Sequence, residues 1–103
     1  MADAALYIVT QPPGGDAGWR EALEIALTSA AFGLPTAMWL LRAPLNTLAR
    51  RADAAALIAE LTGFGIRCVA SRSDLTDVME GVEPLDNDAL AALRARAAQV
   101  VVL

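Results

Sequence analysis

Apolar residues along this chain alternate between short continuous runs and helical stripes. Ala4 to Thr10 is a nearly unbroken apolar run with β-branched and aromatic members, the pattern of a strand covered on both faces. Gln11 to Gly18 follows as a loop, punctuated by Pro12-Pro13 and Gly14-Gly15. From Trp19 to Phe32 the period changes. Trp19, Ala22, Leu23, Ala26, Leu27 and Ala30 recur at helical spacing, and Gly33 supplies the residue that ends such a helix. Thr36 to Leu41 reads as a second strand, opened by Pro35 and closed by Arg42-Ala43-Pro44. A second helix is expected from Thr47 to Leu61, with Ala54, Leu57, Ile58 and Leu61 on one face and Gly63 closing it.

Ile66 to Ala70 reads as a third strand. Ser71 followed by Asp74 resembles a capping box, which predicts a short helix from there to Gly81. Val82-Glu83-Pro84 suits a short edge strand, because proline is tolerated at sheet edges and not at sheet centres. Leu85 to Gln99 has a well-marked helix start, with Asp86 as N-cap and Leu85 and Leu90 placed as a hydrophobic staple. Val100 to Leu103 is the final strand. The alternation of strand and helix predicts a single α/β domain over residues 1–103. Its sheet would be mostly parallel, with about five strands and helices on both faces.

Composition changes this picture in one respect. At 103 residues the domain is small, yet 56% of its residues are hydrophobic and only 19% are charged. A small domain has a high surface-to-volume ratio, so this much apolar character points to surface buried against other subunits, the alternative being a monomer whose alanine-rich helices raise hydropathy without demanding burial. A homo-oligomer or hetero-oligomer with related subunits is expected. All eight basic residues are arginine, and twelve acids bring the net charge to −4. That balance disfavours direct nucleic-acid binding, which needs a basic face. No apolar window reaches the length of a membrane span, and the start lacks a secretory pattern, so a cytoplasmic protein is expected.

Candidate chemistry is sparse. Ligands of a parallel α/β sheet bind outside the C-terminal ends of its strands. Two segments have that address. The glycine loop contributes Gly14 and Gly15 before a helix N-terminus, a natural anion site, although its spacing matches no phosphate-binding motif and Asp16 opposes an anion. The turn after the third strand contributes Ser71 and Ser73. These four residues are the candidate ligand-binding set for a small-molecule, nucleotide or anion-binding module. Cys68 is the only thiol and the only candidate nucleophile or carrier, and its place inside a strand suggests burial. With no histidine and one cysteine, no Cys/His metal cluster can form and no Ser-His-Asp triad can be assembled in one chain. No cofactor motif emerges, and a stand-alone enzyme is not expected.

A family resemblance adds to this reading. It is carried by Pro12-Pro13-Gly14, by Arg20-Glu21 and Leu23-Glu24 opening an alanine-rich helix, and by the strand Thr36 to Leu41. Gly65-Ile66 leading into a strand, the polar turn from Ser71 to Leu75, and Glu83-Pro84-Leu85 with Ala89-Leu90 and the closing strand continue it. Together these resemble the DsrE/DsrF-like family, most closely its TusC/DsrF branch. The resemblance implies a small parallel α/β sandwich that assembles with related subunits into a hetero-hexamer. It also implies a role in passing sulfane sulfur as a cysteine persulfide, toward tRNA thiolation or during sulfur oxidation. Carrier members place their cysteine at the end of the third strand. Aligned on Leu75, that position is Ser71 here, and Cys68 lies three residues earlier. The resemblance therefore implies a diverged, non-carrier subunit that contributes interfaces more than chemistry.

Overall fold

The computed structural model describes residues 4–11, 14–75 and 79–103. The chain runs β1 (Ala4–Val9), α1 (Gly15–Ala31), β2 (Thr36–Leu40), α2 (Arg42–Ala49), α3 (Ala54–Gly63), β3 (Arg67–Ser71), β4 (Val82–Leu85), α4 (Asn87–Arg96) and β5 (Ala97–Val102). The five strands form one sheet in the order β4-β3-β2-β1-β5, and every neighbouring pair is parallel.

This order dictates where the helices go. From β1 to β4 each crossover steps the same way across the sheet, so right-handed connections put α1, α2 and α3 on one face. The return from β4 to β5 runs the opposite way and puts α4 on the other face. The side chains agree. Tyr7, Val9, Met38, Leu40, Cys68 and Ala70 pack with Trp19, Leu23, Leu45, Leu48, Ile58 and Leu61. The alternate residues Leu6, Ile8, Ala37 and Val69 pack with Leu90 and Leu93 of α4. Tyr7, buried on the crowded face, satisfies its hydroxyl by hydrogen bonding Ser29 of α1.

Several expected boundaries move, each for a local reason. Helix α1 starts one turn early at Gly15, where a hydrogen bond from Gly18 N to Gly14 O closes the first turn (3.0 Å). The single helix expected from Thr47 to Leu61 is two helices, and the first starts at Arg42. Pro44 is no obstacle there, since the first turn of a helix needs no intrahelical donors. The break is a turn in which Arg51 grips the Asp53 carboxylate at 2.8 and 3.0 Å. The helix expected after Ser71 is replaced, over the described residues, by a turn at Arg72 to Asp74, and residues 76–78 of that expectation lie outside the described residues. Asp86 does cap α4, accepting from Ala89 N at 2.9 Å. That helix stops at Arg96 because β5 starts at Ala97 to pair with β1, ahead of the expected Val100.

Candidate functional site

The C-terminal ends of β1, β2 and β3 carry the polar groups that the topology makes interesting. Arg42 opens α2 directly after β2, and its Nε donates to Asp74 Oδ1 at 3.2 Å. Ser71 closes β3, and its Oγ shares a hydrogen bond with Ser73 Oγ at 2.9 Å. Ser71 is half-buried, and the backbone N–H of Arg72 bonds Leu85 O across to β4. Its hydroxyl thus closes a turn rather than capping a helix.

Cys68 lies three residues upstream, on the other face of the sheet. Its row runs Met38, Cys68, Val82. The thiol is 2% exposed and sits with Trp19, Leu23, Leu48, Ile58 and Leu61 around a void of about 10 Å³, barely the space of one water molecule. Burial alone pushes its pKa up from 9.0 to about 11, so at neutral pH the sulfur keeps its proton. A protonated, enclosed thiol is a poor nucleophile.

Gly14 and Gly15 are exposed at the start of α1, and Gly15 uses the left-handed φ of +63° open to glycine. Gly14 and Gly15 follow the end of β1 and Ser71 and Ser73 the end of β3, with β2 between the two strand ends. The cavity nearest the glycine loop holds about 240 Å³ between α1 and the ends of β1 and β5. Val9, Gln11, Gly18, Glu21, Ala22, Ile25 and Leu103 line it. That lining is mostly apolar and carries a carboxylate, which does not suit an anion.

Sequence reasoning missed what three residues contribute to this edge. Arg42 had a usable signal, since it follows a strand directly. Glu21 is legible beside the glycine loop at the start of the first helix, but that it lines a cavity with Leu103 is decided only when β5 pairs beside β1. Among the described residues no group of three His, Cys, Asp or Glu side chains is placed to hold a metal ion. None of the described helices is long and apolar enough to cross a membrane.

No family model matches the sequence, and no curated protein does. Solved structures with the same architecture exist. The ychN protein from E. coli superposes with a TM-score of 0.73 over the whole of both chains at 15% identity. The fold is DsrE-like. A conserved protein of unknown function from Bacteroides thetaiotaomicron, BT1422, gives a TM-score of 0.69 at 17% identity, over 96% of this chain and 94% of its own. At these identities the likeness is one of fold.

Proposed function

We propose that this chain is a subunit of a sulfur-relay assembly of DsrE/DsrF-like proteins, and that it serves there through its interfaces and not as a sulfur carrier. One observation carries the reading. A serine, Ser71, stands at the end of β3, and the only thiol lies enclosed on the opposite face of the sheet. Sulfur relay needs a thiolate that attacks the outer sulfur of a donor persulfide while the donor thiolate leaves. A serine hydroxyl forms no such adduct, and Cys68 offers neither a thiolate nor access. The apolar side chains left in water support an interface role: Phe32 is 81% exposed and Phe64 60%.

The test is intact-mass spectrometry of the folded protein after incubation with a small persulfide donor. The native chain is expected to gain nothing, while Ser71→Cys is expected to gain about 32 Da, one sulfur atom, reversed by reductant. Uptake by the native chain that prior alkylation of Cys68 blocks would overturn the non-carrier reading. An inert Ser71→Cys protein would overturn the assignment of Ser71 to the carrier position.

A further inference from the structure

The two edges of the sheet are built differently. The β4 edge is guarded. Leu85 turns its carbonyl inward to Arg72 N, so alternation makes Pro84 the residue whose donor would face outward, and proline has none. Beside it Glu83 is held by Arg67, with Nη2 to Oε2 at 2.9 Å and Nε to Oε1 at 3.3 Å. Charge and proline are the usual devices that stop an edge from pairing.

The β5 edge has neither. Its sequence, AAQVVV, contains no charge and no proline. Leu103 N donates to Ile8 O at 2.8 Å and Thr10 N donates to Leu103 O at 3.0 Å, so Leu103 spends both its backbone groups on β1. Strand alternation then aims the N–H and C=O groups of Val100 and Val102 away from the sheet. The register irregularity between Ala4 and Ala5 lies at the start of this pairing, and residues 99–102 continue in regular register. The same two valines leave their side chains 37% and 59% exposed.

We infer that β5 is a dimerisation edge, and that its occupant is a second copy of this chain pairing antiparallel across a twofold axis. Two features select that occupant. An uncharged strand meets its own copy without like-charge repulsion. Outward groups on alternate residues are self-complementary under a twofold axis, with Val100 opposite Val102 of the second copy and the reverse. The product is one continuous ten-stranded sheet, with both copies of α4 on the same face.

This inference names a surface for the assembly proposed above, and its test separates the two readings. Sedimentation velocity of the full chain, diluted from about 100 μM to about 1 μM, is expected to show a dimer that dissociates on dilution. Val100→Pro removes an outward donor, and Val102→Lys places like charges across the joint. Each is expected to raise the dissociation constant at least about tenfold with unchanged circular dichroism. A monomer throughout the series would overturn the inference, and so would an oligomer that neither Val100→Pro nor Val102→Lys weakens. A dimer lost in these variants, together with an inert Ser71→Cys protein, would leave the edge pairing standing and count against the sulfur reading alone.

Discussion

The thiol of Cys68 couples stability to alkaline pH. Its pKa is raised by burial to about 11 from 9.0, so the native state holds a proton that the unfolded chain releases at lower pH. The sign follows directly. Below pH 9.0 both states are protonated and the full stability is present. As pH rises from 9.0 through about 11, the unfolded state gains free energy by ionising, and native stability falls. The shift is worth about 2 to 3 kcal/mol at its limit. Urea midpoints of the native chain are expected to drop between about pH 8 and about pH 10.5, and Cys68→Ala, although less stable at the lower pH, is expected to lose less over the same interval. An equal drop in both proteins would place the alkaline sensitivity elsewhere.

At the scale of elements, Gly81 shows how closely the start of β4 is fitted to α3. Its φ is +88°, and a Cβ built there would lie 2.5 Å from Cγ2 of Ile58, a residue of the buried core. Backbone strain and steric overlap add, so Gly81→Ala is expected to cost at least about 2 kcal/mol, read as a lower urea midpoint with unchanged slope. The same glycine marks a limit of the local pattern. A glycine there punctuates equally well the end of a helix, as the sequence suggests, and the approach to a strand packed under α3, which is what the described residues form. Signals that act within a few residues are legible in the sequence. The apolar runs gave β1, β2 and β3, and Leu85, Asp86 and Leu90 gave the start of α4. Signals set by distant partners are not. Ser71 and Asp74 have the same chemistry whether they cap a helix or close a turn. The break between α2 and α3 is where two short helices redirect their apolar faces, Leu45 and Leu48 on one and Ile58 and Leu61 on the other, onto a sheet that the local pattern cannot see. The site divided along the same line. Ser71 and Ser73 are adjacent in sequence and meet, while Gly14 and Gly15 belong to a strand end separated from theirs by β2.

The molecule as a whole is asymmetric twice over. Among the described residues, one face of its sheet lies under three helices and the other is covered by α4 alone, where the Nε1 donor of Trp39 is enclosed without an acceptor. One edge is guarded and one is open. Amide hydrogen exchange reads the open edge residue by residue. The amides of Val101 and Leu103 point toward β1 and share its protection, so they are expected to exchange slowly at every protein concentration. Those of Val100 and Val102 point outward. In a free copy they are bonded only to water and exchange fast. In a twofold pair they are bonded to the second copy and exchange slowly in proportion to the dimer present. The expected outcome is an alternation along residues 100–103, fast and slow in dilute protein, that flattens to uniformly slow as concentration rises through the dissociation constant. Folding stability alone cannot produce a concentration-dependent change at every second amide. An alternation that persists unchanged at high concentration would mean that β5 stays open to water and that any assembly uses another surface, such as the end of the sheet where Phe32 and Phe64 are exposed.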